Sequence, residues 1–196
     1  MVGKTNPTRN SLVVMEKQNL LLKGNSFTLS HLSPFVDVSR QKYRKKLKEL
    51  FPDNDDDYIN EQAEKLVKDE IKDGIQTIQY QLITISTTNG QAPFTTVFCY
   101  LDEVPDGQPR KDLAMCIEEM IKQRIESVKN PQGVNVTIAF PKIIYVLDED
   151  NIHEDSEYYW LTKLCAECTS KRLIPDYVSA KVMKKNKEGN VFPPMG

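Results

Sequence analysis

Apolar residues recur every three or four positions over a long central stretch of the chain, which predicts one amphipathic helix of unusual length. The acidic run at residues 53–57 supplies candidate caps and places negative charge at the start of this helix, where the backbone dipole favours it. Asn89 and Gly90 mark its end. The apolar positions of the stripe are Ile59, Ala63, Leu66, Val67, Ile71, Ile75, Ile78, Leu82 and Ile85.

Three further helices are predicted from the same kind of spacing. One follows Pro34, a second begins at Pro109 and ends at residues 130–133, and a third ends near Pro175. The inner faces of these helices comprise Phe35, Val36, Tyr43, Leu47 and Leu50 in the first, Leu113, Cys116, Ile117, Met120, Ile121, Ile125 and Val128 in the second, and Trp160, Leu161, Leu164, Cys165 and Cys168 in the third.

Three stretches have the pattern of strands. Residues 94–101 are rich in Thr, Val and aromatic residues, apolar residues alternate over 134–140, and residues 143–147 are apolar throughout. Helices and strands therefore alternate along the chain. This is the order of crossover units in a mostly parallel sheet with helices packed on its faces. The pattern therefore predicts an α/β fold, either a barrel or an open sheet.

The start of the chain differs from the rest. Residues 1–25 are polar apart from two short apolar clusters at 12–15 and 20–22, a pattern compatible with a hairpin or a frayed helix. We therefore expect residues 1–25 to be a divergent or disordered segment and residues 26–196 to form the folded unit. The 196 residues suffice for one sizeable core or for part of a larger domain.

Charge and hydropathy exclude several classes of partner. Lys plus Arg is 26 against 28 for Asp plus Glu, so the net charge of -2 gives no general attraction to nucleic acid or to an anionic membrane. The longest apolar runs are far below the roughly 20 residues that a membrane helix needs. The first residues also have no secretory signal pattern. We expect a cytoplasmic protein without membrane or nucleic-acid partners.

The four cysteines lie in apolar periodic segments and are interpreted as reduced core residues. Cys165 and Cys168 have the spacing of a redox pair or of half a zinc site. Cys99 and Cys116 lack paired spacing, whereas a structural zinc needs four ligands. Both sulfurs of the close pair fall on the apolar face of the predicted helix, so core packing is favoured and no metal site is predicted.

Basic residues form two clusters that could contact phosphates. Six lie at residues 40–48, and the other cluster comprises Lys181, Lys184, Lys185 and Lys187. Such a stripe is more often the solvated side of a helix, and no interleaved aromatic residues support nucleic-acid binding. A nucleotide's phosphates could use either cluster, and the sequence does not choose between them.

Acidic residues and histidines give weaker signals. Asp148, Glu149 and Asp150 follow an apolar strand and could bind a cation, although an acidic loop between a strand and a helix is the commoner explanation. His31 and His153 belong to no metal-ligand or triad pattern and are interpreted as surface or capping residues.

The turn between the long helix and the first predicted strand carries polar groups that suit a sugar or a phosphate. Gly90 allows positive φ, while Thr88, Asn89 and Gln91 offer hydroxyl and amide groups. On these residues alone, an ordinary helix stop is the commoner explanation. The chain contains neither a phosphate-binding loop of the Gly-Lys-Ser/Thr type nor a dinucleotide fingerprint.

Five segments are distinctive as a set. They are NGQAPF at 89–94, AFPK at 139–142 running into YVLD at 145–148, CTSKR at 168–172, PDYVSAK at 175–181 and GNVFPPMG at 189–196. In this order they resemble the anaerobic, glycyl-radical ribonucleoside-triphosphate reductases, and the resemblance runs from about residue 26 to residue 196. Five matches in order are far more specific than any one of them, since a lone NGQAP could be any turn.

The resemblance implies a fold and a site. The fold would be part of the ten-stranded α/β barrel of the ribonucleotide reductase and glycyl-radical type. Thr88, Asn89 and Gln91 would lie near the barrel interior as substrate contacts. Met195 and Gly196 would form the base of a finger loop and position a cysteine expected to follow them, whose thiyl radical abstracts a hydrogen from the ribose. No catalytic residue is then expected among the residues of this chain.

The resemblance also implies partners. These are a ribonucleoside triphosphate substrate, nucleotide effectors with an ATP-binding regulatory region, a radical-SAM activase and a second copy in a homodimer. The family's glycyl radical and structural zinc would lie outside this chain, which would be a fragment, inactive alone, of an enzyme that makes deoxyribonucleotides for DNA synthesis. The alternative is a noncatalytic α/β module for nucleotide binding or subunit interaction. Unpaired apolar strand edges of an incomplete barrel would cause self-association.

Overall fold

Helices and strands alternate along the chain in the computed structural model, which describes residues 26–84, 95–129, 132–136, 138 and 140–192. In chain order the elements are β1 (Ser26–Thr28), a 3-10 helix (Leu29–Leu32), α1 (Ser33–Leu50), α2 (Asp56–Thr84), β2 (Thr96–Cys99), a second 3-10 helix (Leu101–Glu103), α3 (Gln108–Glu126), β3 (Val128–Lys129), β4 (Asn135–Val136), β5 (Lys142–Leu147), α4 (Tyr159–Arg172), β6 (Asp176–Ser179) and α5 (Ala180–Asn186).

Four parallel strands form the main sheet in the order β1-β2-β5-β6. Val97 on β2 lies opposite Ile143 on β5, and Tyr145 on β5 lies opposite Tyr177 on β6. Parallel strands need crossover connections, and α3 and α4 lie in the crossovers from β2 to β5 and from β5 to β6. This arrangement confirms the predicted α/β class. The ten-stranded barrel remains an expectation drawn from the resemblance.

Alternation along the strands divides their side chains between two clusters. Because successive residues of a strand point to opposite faces, Val97 and Cys99 join the large core formed with α1, α2, α3 and α4. Phe98 and Tyr100 join a smaller cluster on the other side. The remaining members of the smaller cluster are Ile144, Val146 and Ala180, with Val178 and Val191 packed against them. Burial on both sides explains why residues 143–147 are apolar throughout.

The long helix predicted from the apolar stripe is α2, with 29 residues. It begins where the acidic run predicts, because the side chain of Asp55 accepts a hydrogen bond from the backbone N–H of Tyr58 at 2.7 Å. No helix in the described part of the chain is both long and apolar enough to cross a lipid bilayer. The buried positions of the predicted stripe are Ile59, Ala63, Val67, Ile71, Ile75, Ile78 and Leu82.

The alternating stretch at residues 134–140 is predicted as a strand, and the structure contains a short exposed strand within it. Within it the structure assigns Asn135–Val136 to a strand, which pairs antiparallel with β3 as a short hairpin. Val134 and Val136 are 59% and 48% exposed. Beyond β4, the guanidinium of Arg124 donates to the carbonyl oxygens of Ile138 and Pro141, so these two carbonyl groups bond to a side chain.

Three positions assigned to buried helix faces are exposed instead. One of them, Val128, is 49% exposed and belongs to β3, because α3 ends at Glu126 and not at residues 130–133. The other two lie on helices. Trp160 is 40% exposed and Leu50 is 60% exposed. Leu50 is the last residue of α1 and Trp160 the second residue of α4, so both lie at helix ends. The helical period gives the direction of a side chain but not how far the core extends along the helix.

The basic stripe at residues 40–48 contains one buried residue, which corrects the expectation of a solvated face. Arg40 is 2% exposed and bonds through its guanidinium to both carboxylate oxygens of Asp112 on α3 and to Glu64 on α2. Burial alone lowers the pKa of Arg40, but the hydrogen bonds that it donates to Asp112 and Glu64 outweigh burial and raise that pKa above its ordinary value. The four lysines of the stripe are exposed as expected: Lys42, Lys45, Lys46 and Lys48.

Candidate functional site

Polar side chains meet where the parallel strands end. Tyr100 follows β2 and Asp148 follows β5, so both lie at the carboxyl edge of the sheet, where open α/β sheets and α/β barrels place their ligands. Helices bring Lys184 from α5 and Arg110 from the first turn of α3 to the same place. We call this group the carboxyl-edge cluster; it consists of Tyr100, Asp102, Arg110, Asp148, Asp150 and Lys184.

Asp148 lies at the centre of the cluster. Its Oδ2 accepts from the hydroxyl of Tyr100 at 2.9 Å and from Nζ of Lys184 at 2.9 Å. Its Oδ1 accepts from the backbone N–H of Glu149 at 3.0 Å. Burial raises the pKa of Asp148, but the bonds from Lys184 and Tyr100 and the Glu149 N–H together hold it below its ordinary value. Asp148 is therefore a carboxylate at neutral pH.

The two donors to Asp148 keep their protons. Burial, followed by the neighbouring Asp148, raises the pKa of Tyr100 above its ordinary value. The hydrogen bonds to Asp148 and Tyr100 raise the pKa of Lys184. Nζ of Lys184 also lies 3.8 Å from Oδ2 of Asp102 and 5.9 Å from the centre of the Tyr100 ring. At neutral pH the three groups form a neutral phenol, an ammonium and a carboxylate.

Arg110 joins the other two carboxylates of the cluster. Its guanidinium lies 2.9 Å from Asp102 and 3.4 Å from Asp150. Burial raises the pKa of Asp150, against the attraction of Arg110, and the charges of Asp148 and Asp102 raise it further. Oδ1 of Asp150 is buried without a hydrogen-bond partner. The acidic loop therefore faces protein cations. This favours an ordinary acidic loop between a strand and a helix over a cation-binding site.

The cysteines lie in the core and the histidines at the surface. All four cysteines are free and buried. Burial raises the pKa of Cys116 to about 12, so its thiol stays protonated and unreactive at neutral pH. Nε2 of His153 lies 3.1 Å from Glu149 on the surface, and His31 is exposed. Within the described ranges, no three His, Cys, Asp or Glu residues come together in a group that could hold a metal ion.

The predicted substrate contacts lie outside the described residues. Thr88, Asn89 and Gln91 fall in residues 85–94, and Met195 and Gly196 fall in residues 193–196. These five assignments therefore stay predictions.

Thr95 and Val191 flank residues 85–94 and 193–196, and both contact the sheet or its apolar cluster. Thr95 is 6% exposed, and its carbonyl oxygen accepts from the backbone N–H of Lys142 at 2.8 Å. Val191 packs against the cluster that contains Phe98 and Tyr100. The approach to residues 193–196 thus lies beside the carboxyl-edge cluster.

Sequence reasoning did not assign a role to Tyr100, Asp102 or Arg110. The proximity of Tyr100 and Asp148 could have been predicted from the sequence. Each residue directly follows a strand, and the carboxyl ends of parallel strands lie at the same edge of a sheet. The ion-pair partner of Asp148, by contrast, is 36 residues away and shows no local pattern.

A concave region with a volume of about 370 Å³ lies between α2 and α3. Nε2 of Gln79 donates to Oε1 of Gln123 at 2.8 Å, and Nε2 of Gln123 donates to the carbonyl oxygen of Lys72 at 3.0 Å. Oε1 of Gln79 is buried without a partner. The groove offers amides but no ion-pair network like that of the carboxyl edge, which remains the better candidate.

Comparison with known proteins gives one consistent family. A family model described as anaerobic ribonucleoside-triphosphate reductase matches residues 13–196. A protein of that name from Enterobacteria phage T4 is 30% identical over 151 residues, which are 76% of this chain and 23% of the phage protein. One from Haemophilus influenzae is 30% identical over 168 residues, or 84% of this chain and 22% of the relative. One from Escherichia coli is 29% identical over 167 residues, with 84% and 21% covered. The chain spans about a fifth of the length of these relatives.

Proposed function

Because the chain belongs to the anaerobic ribonucleoside-triphosphate reductase family, we propose that it forms part of the catalytic domain of an oxidoreductase that converts ribonucleoside triphosphates to deoxyribonucleotides for DNA synthesis. The observation that carries the proposal is the match of the family model over residues 13–196, which include every described helix and strand.

The described sheet is proposed to be one section of a ten-stranded barrel. Among the described residues, β1 pairs with β2 alone and β6 pairs with β5 alone, so the sheet has two edges. A closed barrel removes such edges by pairing them with further strands. The parallel direction of all four strands supports this proposal, because adjacent parallel strands with helical crossovers are the repeating unit of α/β barrels.

Substrate contacts are proposed in two stretches of the chain. Thr88, Asn89 and Gln91 precede β2, and their hydroxyl and amide groups suit the sugar and phosphate oxygens of a nucleoside triphosphate. Met195 and Gly196 follow the segment that packs beside Tyr100. We assign them the positioning of the reactive cysteine loop.

The radical chemistry is proposed to use groups outside this chain. By the family resemblance, a glycyl radical installed by a radical-SAM activase would supply the unpaired electron, and a cysteine would use it to abstract hydrogen from the ribose. The residues of this chain bind and orient the nucleotide in that scheme. A structural zinc, nucleotide effectors and a homodimeric assembly complete the proposal, and all of them come from the family resemblance.

A graft into a relative tests the proposed function. Residues 26–196 would replace the matching segment of the Escherichia coli relative, and triphosphate reduction would be measured without oxygen in the presence of activase. We expect activity in the graft, and its loss when Asn89 and Gln91 are both changed to Ala. Electron paramagnetic resonance of the glycyl radical serves as the control for folding and activation. A graft that carries the radical but reduces no triphosphate would overturn the proposal.

A further inference from the structure

Helix α5 is held to the sheet by few apolar contacts. It has seven residues, and Ala180 is its one buried residue. Its start is capped by Ser179, whose Oγ accepts from the backbone N–H of Val182 at 3.4 Å, while the side chain of Val182 is 55% exposed. The orientation of α5 therefore depends strongly on any polar contact near its other end.

Lys184 makes that polar contact. Its Nζ donates to Oδ2 of Asp148 at 2.9 Å, and the hydroxyl of Tyr100 donates to the same oxygen at 2.9 Å. Asp148 follows β5 and Tyr100 follows β2, so the lysine is anchored on two strands of the sheet at once. Charge-assisted hydrogen bonds of this kind are stronger and more directional than neutral ones.

The backbone of the same lysine closes the turn that ends α5. The carbonyl oxygen of Lys184 accepts from the N–H of Gly189 at 2.8 Å. Glu188 and Gly189 both have positive φ, at 53° and 86°, so the chain reverses there. The N–H of Asn190 then donates to the carbonyl oxygen of Lys187 at 3.0 Å. The side chain of Lys184 thus contacts the residues at the end of the sheet, and its backbone carbonyl holds the turn.

The turn directs the chain back onto the sheet. Val191 packs against the cluster that contains Phe98 and Tyr100, and Nζ of Lys187 lies 5.9 Å from the centre of the Phe192 ring. We infer that Lys184 is a positioning residue, which acts through Asp148 and Tyr100 to fix the course of residues 187–192. The consequence for catalysis rests on the proposed function, because Met195 and Gly196 follow this segment.

Hydrogen exchange of the backbone amides of Gly189 and Asn190 in this chain tests the contact directly. Lys184→Met keeps the aliphatic stem and removes the ammonium, and we expect both amides to exchange about fivefold faster. Lys185→Met is the matched control, since Lys185 is exposed on the same helix, and it should leave both rates unchanged. Lys184→Arg should restore most of the protection.

The pathway through Asp148 has its own test. Asp148→Asn should raise exchange at Gly189 and Asn190 as Lys184→Met does, and the double variant should add little beyond either single change. Additive effects would show that the two residues act separately and would overturn the inference. So would an unchanged rate at Gly189 in a folded Lys184→Met protein, or an equal increase in Lys185→Met.

The catalytic consequence is measured in the grafted reductase. Lys184→Met should lower kcat while the KM for the triphosphate stays the same, because Lys184 acts on the course of the chain and not on the nucleotide. Faster exchange with unchanged kcat would refute this catalytic consequence, although Lys184 would still fix the course of residues 187–192. A graft that is inactive with Lys184 in place would instead count against the proposed function, and the exchange result would stand.

Discussion

Arg40 is enclosed by three helices, and its charge is balanced there by carboxylates. Asp112 is 1% exposed and receives two of its hydrogen bonds, while Glu64 receives a third. Asp112→Ala would leave a buried cation without its main partner. We expect the free energy of unfolding to fall by an amount near the lower end of about 3–5 kcal/mol, because Glu64 remains. Urea titration followed by circular dichroism measures the loss.

Asp37 provides the matched control for this pair. Its Oδ1 lies 3.2 Å from the same guanidinium, but its side chain is 49% exposed. Asp37→Ala should therefore cost less than about 1 kcal/mol. Equal losses for the two variants would mean that burial does not decide the strength of these ion pairs.

Asp148 and Asp150 should respond to acid with opposite signs. The folded-state pKa of Asp148 is lowered, so its contribution to stability is present above the ordinary pKa of 3.8 and is lost as the pH falls through the folded value. Asp148→Asn should lower the free energy of unfolding at pH 7 by about 1–2 kcal/mol. The two proteins should converge in acid. Urea unfolding at several pH values between 7 and 3 gives the comparison.

Asp150 is the internal control for that experiment. Burial raises its pKa, so the carboxylate costs stability at neutral pH and the cost disappears as the pH falls. Asp150→Asn should not lower the free energy of unfolding at pH 7. A loss for Asp150→Asn as large as that for Asp148→Asn would contradict the assigned causes.

At the scale of helices and strands, local periodicity predicts most of the fold. Helix α2 could be predicted because Ile71, Ile75 and Ile78 recur at steps of four and three residues and the acidic residues before the helix can cap its start. Strand β5 could be predicted because a strand buried on both faces is apolar throughout. The hairpin of β3 and β4 could not, since its valines alternate in the same way as those of a buried strand.

The candidate site required information that no local pattern contains. Arg110 and Asp150 are 40 residues apart, and Asp148 and Lys184 are 36 apart. Their contacts depend on which helices pack together and on the order of the strands. The sequence identified Asp148 and Lys184 only as members of an acidic loop and a basic cluster, and their ion pair appears when β2, β5 and β6 are placed side by side.

The end of α4 allows a stabilising substitution. Leu173 follows the helix in the left-handed conformation, with φ of 61°, and its side chain is 84% exposed. Glycine adopts this conformation without the steric cost of a side chain and is favoured at helix ends. Leu173→Gly should raise the free energy of unfolding by about 0.5–1 kcal/mol. Thermal and urea unfolding measure the gain.

Leu173→Ala separates the backbone effect from loss of the side chain. Alanine keeps the Cβ atom and hence the strain, so its effect should stay within about 0.5 kcal/mol. If alanine stabilised the protein as much as glycine, removal of the exposed leucine side chain would be the cause, and not relief of the backbone.

At the scale of the whole molecule, the described residues combine a helical layer with a sheet that has two edges. β1 and β6 each have one strand neighbour among the described residues, and Tyr177 on β6 is 38% exposed. An edge strand offers unpaired backbone groups to another chain. The family proposal and the described edges therefore lead to the same expectation, namely that this chain associates with itself when it is purified alone.

Sedimentation velocity over a range of protein concentrations measures that association. We expect the average mass to rise with concentration, and Tyr177→Lys to suppress the rise, because a lysine on an edge strand disfavours pairing with a second chain. Leu173→Lys adds the same charge at a more exposed position that lies outside any strand. If both variants suppressed association equally, general apolar exposure and not the strand edge would be responsible. A monomer at every concentration would show that the edges of this sheet are already protected.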